Sequence, residues 1–401
     1  MKRLLKISFD LSLLSFIPVV SWFCLSILID SNLINIFTLT YPIQFIYYIM
    51  KSIFSTGANI SKEKDGNKDA VMSGLVMGIV VAFFLFSMVL LNIDKYIEFM
   101  NMDGSIYRNF AIYSVIQLFI QLVFAFVLDK LYYEEKNSLA NRYSIWFNSL
   151  NFVVLIVLSL LTKNQAVIVG VTLSVIGLFT IYVLIRSWDT FTFKLNLLNC
   201  IKYDSVELFN NVAFFFIFLF GLSNALEFGE EYALALTFVA LVTDTQWDTF
   251  DAITTAAQID ISKGKFNYKE HIKNAYQLLG ILFFSTAIMF VGLYSFYELT
   301  LSITFIYLAI EVFNMLVYPI YRIKTCFMQL EWSAIKTTSN KICALLLRMI
   351  MSFLRTPFCT GIGQVVSSIY QGITINYLFG KNYYVDKTGV VLRKQKTHDC
   401  G

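Results

Sequence analysis

Asp244, Asp248 and Asp251 lie four and three residues apart in TDTQWDTFDAITTAAQID (243–260), directly after the apolar run ALALTFVALV. Helical positions at those spacings share a face, so the three carboxylates form one stripe if the stretch is helical. At about 100° per residue, Thr255 and Gln258 continue that stripe. An ionised aspartate at the centre of a bilayer costs about 2.5–3.5 kcal/mol, so three on one face cannot point at lipid. They must face water, share protons or hold a cation. A polar stripe satisfied by neighbouring helices is the plainer alternative; a transport site is the expectation.

Other ionisable and amide side chains sit in apolar surroundings. Glu207, Asn210 and Asn211 occur in VELFNNVAFFFIFLF, and Glu311 and Asn314 are three apart and so share a helix face. Carboxylate and amide oxygens suit hard cations, and closely placed carboxylates share protons. Lys51, in YYIMKSIFSTG, either pairs with an acid or snorkels towards the interface. Arg348 lies deeper in its apolar segment, where it could pair with Glu311 or bind an anionic head group. Lys51 and Arg348 together would suit an anionic, lipid-linked substrate. There is no Walker sequence, GxSxG, HExxH or intramembrane GxGD pair, so enzymatic chemistry is not expected.

The surroundings are those of a membrane protein. Hydrophobic residues make up 57% of the 401 and charged residues 14%, against about 25% charged in a soluble domain. Twelve segments are long and apolar enough to span, at 9–30, 36–59, 70–92, 108–129, 143–162, 166–186, 206–226, 231–259, 274–296, 299–321, 337–354 and 358–379. The opening MKRLLK and its apolar run lack a small-residue cleavage site and read as a retained helix. Of 31 lysines and arginines, 25 fall on the N-terminal side of these segments and four on the other, with Lys51 and Arg348 inside spans. That asymmetry predicts both termini in the cytoplasm; Asp10, near the cytoplasmic end, reads as a solvated or N-terminal-turn residue, and the polar tail from Lys381 as poorly ordered. Six scattered cysteines without CxxC spacing, and two histidines in polar segments, predict no disulfide framework, metal centre or other cofactor.

Thr56-Gly-Ala-Asn-Ile60 closes the second segment and Thr255-Ala-Ala-Gln-Ile259 the eighth, an offset of 199 residues. The same offset relates Asn141-Arg142 to Asn340-Lys341. The chain therefore reads as an all-α polytopic protein of about twelve helices in two pseudo-symmetric six-helix lobes. The N-terminal lobe is 1–187, a cytoplasmic linker 188–205, the C-terminal lobe 206–380 and the tail 381–401. Both lobes have an even number of spans and hence one orientation.

Three stretches carry a resemblance to a known family. YPIQF…STGANISKEKDGNKDA (41–70) ends a helix in small and polar residues before a short basic turn; TTAAQIDISKGK is its counterpart; and Glu207 stands early in the seventh helix. Together they resemble the multidrug and toxic compound extrusion (MATE) family, within a group that includes flippases for lipid-linked oligosaccharides. The resemblance implies a secondary transporter in which helices 7, 8 and 10 converge, bringing Glu207, Asn211, the span-8 stripe, Glu311 and Asn314 into one cavity. It implies exchange of an organic cation for protons or sodium by alternating access. Flipping of a lipid-linked saccharide, or a non-transporting scaffold, are the alternatives. Family members carry an acid in the first helix for ion coupling; Asp30 is the nearest match, although the usual glycine and longer loop are missing. The expected partners are membrane lipids and a small-molecule substrate, without nucleic acid, and one chain suffices as a monomer in a bacterial inner membrane.

Overall fold

The computed structural model describes residues 2–30, 33, 36–99, 104–294 and 299–394; some helical side chains, that of Asp244 among them, lie outside the described residues. Among the described residues, twelve helical passages follow one another. The first six are α1 (Lys2–Leu28), a broken second passage, α4 (Ala70–Leu91), α6 (Gly104–Tyr133), α7 (Asn137–Leu161) and α8 (Gln165–Arg186). The broken passage is α2 (Ile36–Lys51), a π-helical turn at Ser52–Gly57, and α3 (Ala58–Asp65); a short α5 (Ile93–Phe99) precedes α6. The second six are α9 (Leu197–Phe228), α10 (Glu230–Phe250) joined to α11 (Ala252–Ser262), α12 (Tyr268–Tyr294), α13 (Leu301–Glu331), α14 (Ala334–Met351) and α15 (Cys359–Asn382).

Among the described residues, seven helices are long and apolar enough to cross a membrane by length and composition: α1, α4, α6, α7, α8, α12 and α13. Polar groups stand in other passages: Lys51 with the π-turn, Glu207 with its two asparagines, the span-8 aspartates, and Arg348.

The chain forms two compact units, one of residues 9–204 and one of residues 205–394 together with 2–8. In the first unit Trp22, Leu25, Phe110, Tyr113, Leu155 and Ile168 make the core. The Trp22 ring meets Phe110 and Tyr113 edge-on at 5.8 Å. Asp10 is buried there at 1% exposure and accepts from the Tyr132 hydroxyl and from Asn141 Nδ2, instead of facing solvent in a turn. Its two donors come from α6 and α7, partners that hydropathy does not reveal.

The turn at 52–57 brings backbone against backbone. A Cβ on Gly57 would stand 2.4 Å from the Cys200 carbonyl oxygen. Gly57→Ala is therefore expected to lower the melting temperature by the equivalent of about 1–3 kcal/mol, the usual cost of overpacking, in a thermal unfolding scan.

The second unit has a core of Ile261, Tyr321, Phe327, Ile375, Phe379 and Tyr383 and another around Phe238, Val242, Met289 and Tyr307. Two expectations change here. The tenth span does not stop at residue 321: α13 continues to Glu331 through Pro319, which removes one backbone hydrogen bond without ending the buried face. Arg322, one residue beyond the expected span 299–321, is thus a helical residue only 3% exposed.

The tail from Lys381 is also structured. Strands β1 (Tyr383–Val385) and β2 (Val391–Arg393) pair antiparallel, with Tyr384 opposite Leu392. Asp386 Oδ1 accepts from the amides of Thr388 and Val390 at 2.9 Å, and the Thr388 hydroxyl with these amides holds its carboxyl below the usual range. At Gly389, with φ +93, the carbonyl accepts from the Tyr268 amide at 2.9 Å, and any Cβ would collide with Asn267. This fastens the hairpin to the start of α12.

Candidate functional site in the C-terminal lobe

The α10–α11 junction is the centre of the site. The helix tightens at Asp251 (φ −64, ψ −10) without reversing. The Asp251 amide still donates to the Trp247 carbonyl at 2.9 Å, and the Thr255 amide to the Asp251 carbonyl at 3.2 Å. Asp248, Asp251 and Thr255 are half-buried and Gln258 is buried; the Asp244 side chain lies outside the described residues.

α13 supplies the facing groups. Glu311 Oε2 accepts from Trp247 Nε1 at 2.8 Å and from Gln364 Nε2 on α15 at 3.2 Å. The far side of the same amide, Gln364 Oε1, accepts from Arg348 Nη2 on α14 at 2.8 Å. Indole, carboxylate, amide and guanidinium thus form a chain across four helices, in which the Arg348 charge reaches Glu311 through a neutral relay. One turn along α13, Asn314 donates to the Ile310 carbonyl at 2.9 Å, while its Oδ1, in a side chain 1% exposed, has no hydrogen-bond partner among the described residues. A further turn along, the Tyr318 hydroxyl donates to Asp251 Oδ1 at 3.3 Å, and its ring meets Trp247 edge-on at 5.2 Å.

Glu207 is an ion-pair partner. It meets the Arg322 guanidinium, whose Nε donates to Thr254 Oγ1 at 3.0 Å. Asn211 is half-buried on the same helix, α9.

No family model matches the sequence, and no curated protein matches it. Solved structures do. An outward-facing multidrug resistance MATE family transporter of the MOP superfamily aligns with a TM-score of 0.72 at 14% identity, over 95% of this chain and 96% of that one. The fold is that of the MATE transporters. A MATE structure in the bent conformation aligns at 0.70 and 15% identity, covering 95% of each chain. A MOP superfamily transporter from Pyrococcus furiosus, whose binding pocket is of reverse polarity and suggests a different function, aligns at 0.68 and 14%, covering 94% and 96%.

In this MATE fold the N-terminal lobe holds its own buried pair. Lys51 Nζ lies 3.8 Å from Asp129, itself 6% exposed, and Ser55 Oγ donates to Asp129 Oδ2 at 2.8 Å. Asp30 stands just past the end of α1, half-buried, with its carbonyl accepting from the Leu33 amide at 3.0 Å. Lys51 and Asp30 therefore belong to the other unit from the Glu311 network.

Sequence reasoning missed Trp247, Gln364, Tyr318, Arg322 and Asp129. For Arg322 a signal exists: Glu311, Asn314, Tyr318 and Arg322 step by three and four along one face. For the neutral Gln364 none does.

Where α11 runs towards α12 in the second unit, Arg3 and His271 both reach Asp260, the latter at 3.3 Å. Burial works against the Asp260 carboxylate, but the His271 and Arg3 contacts prevail and hold its pKa below the usual carboxylate range. A depressed pKa means that its stabilisation is present above the ordinary value of about 3.9 and is lost only as pH falls below it. Tryptic cleavage at Arg3 and Lys6 is expected to stay slow from about pH 7 to about pH 5, and to accelerate in Asp260→Asn at both.

Proposed function

We propose that the chain is a secondary active transporter, working by alternating access, whose coupling group is Glu311. The observation that carries this reading is the Trp247–Glu311–Gln364–Arg348 chain. A carboxylate held inside a membrane passage by two neutral donors, with a guanidinium one amide away, can take or release a proton without losing its supports. The half-buried Asp248 and Asp251 favour an antiporter that exports an organic, drug-like cation against protons or sodium. A second reading, a flippase for a lipid-linked saccharide or other amphipathic lipid, is favoured by Arg322 and Arg348. The Pyrococcus furiosus structure, with its pocket of reverse polarity, supports treating substrate charge as a separate question within one fold.

Efflux of a fluorescent cation from vesicles holding the protein, under an imposed proton or sodium gradient, tests the antiporter. Gradient-driven efflux lost in the variant with Asp244, Asp248 and Asp251 all changed to Asn is the expected result. Efflux unchanged in that variant would remove the aspartates from the site.

A further inference from the structure

Lys341 is the cation for which the network leaves no counterpart. It lies two turns from Arg348 on α14, so the two share a face. It is half-buried, on a helix that packs against α13, which carries Arg322. Each arginine has its own acceptor, Glu207 and Thr254 for Arg322 and Gln364 for Arg348. Lys341 has no hydrogen-bond or ion-pair partner among the described residues. One turn before it, the Thr338 and Ser205 hydroxyls meet at 2.7 Å, which adds two polar groups to the same face.

A half-buried ammonium that shares a helix face with a guanidinium, and has no acceptor among the described residues, is costly unless something negative joins it. A compact ammonium with three donors matches a phosphate or carboxylate oxygen, and flanking guanidiniums strengthen that match. Ala344 and Leu345, buried on α14 three and four residues beyond Lys341, make the same face apolar around the ammonium, so the molecule it suits carries an apolar remainder. We propose that Lys341, flanked by Arg322 and Arg348, is an anion-binding subsite that takes the phosphate or carboxylate group of an amphipathic substrate; this rests on the transporter reading above and sets the sign of the substrate's charge at this position.

The test uses the full chain in phosphatidylcholine nanodiscs, following intrinsic tryptophan fluorescence and melting temperature. Dodecyl phosphate, dodecyltrimethylammonium and inorganic phosphate are titrated into the wild type, Lys341→Gln and Lys341→Arg. A parallel arm replaces part of the phosphatidylcholine with phosphatidylglycerol. Dodecyl phosphate is expected to bind and to raise the melting temperature, with affinity about tenfold or more weaker in Lys341→Gln and largely restored in Lys341→Arg. A response to inorganic phosphate places the source in solution, and saturation by phosphatidylglycerol alone places it in the bilayer; both support the subsite. Equal binding of the trimethylammonium compound to the wild type, or unchanged dodecyl phosphate affinity in Lys341→Gln, overturns it. Anion binding without gradient-driven flux in vesicles would sink the transporter reading and leave the subsite standing.

Discussion

Arg322→Leu is expected to be the most destabilising single substitution in the C-terminal lobe. The guanidinium is 4% exposed and its partner Glu207 16%, so removing it strands a carboxylate among apolar helices and leaves Thr254 without its donor. Breaking a buried pair from one side costs about 3–5 kcal/mol, whereas replacing both partners by apolar groups is often close to neutral. The double variant Glu207→Leu/Arg322→Leu should therefore recover most of the melting temperature lost by Arg322→Leu. Thermal unfolding of the wild type, both single variants and the double variant closes the cycle. Additive losses would mean that the two residues are not a pair.

The second large effect falls on function and leaves stability almost untouched. Glu311→Gln keeps an oxygen for the Trp247 indole and the Gln364 amide, so the fold should lose no more than about 1 kcal/mol. It cannot exchange a proton at that position. Proton-driven flux in vesicles is expected to fall to background, and any pH dependence of Trp247 fluorescence arising from the 2.8 Å contact should vanish with it. Glu311→Asp shortens the side chain and should restore pH-sensitive fluorescence more readily than flux, since the proton returns but the reach to Gln364 does not. Retained proton-driven flux in Glu311→Gln would move coupling to another carboxylate, with Asp251 the next to change.

The architecture was legible because hydropathy and charge asymmetry are one-dimensional quantities, and a membrane reads them residue by residue. The twelve passages and the duplicated TGANI and TAAQI segments came from that reading. The repeat is also structural. The π-turn begins at Ser52, and Asp251, where α10 gives way to α11, lies 199 residues further on. What escaped were pairings between distant segments and neutral side chains. Gln364 looks like any amide in a helix until Glu311 and Arg348 are seen on either side of it. Arg322 was misplaced because the apolar run ends at residue 321, whereas the buried helix continues through the polar residues beyond it to Glu331. The hairpin at 383–393 was missed because its support, the Asn267 region, lies far away in sequence; Asn267 Nδ2 donates to the Thr388 carbonyl at 2.8 Å.

The same offset links two hydroxyls that carry opposite duties. Ser55 donates to an acid, Asp129, while Thr254 accepts from a base, Arg322. Each charge is matched within its lobe, by Lys51 and by Glu207. The transmembrane voltage exerts about 2.3 kcal/mol per elementary charge per 100 mV, but a closed pair presents it with a dipole and no net charge. Membrane potential therefore has little hold on these two anchors, and electrogenic behaviour is expected to originate outside them, at the proton carried by Glu311 and at whatever ion joins Lys341.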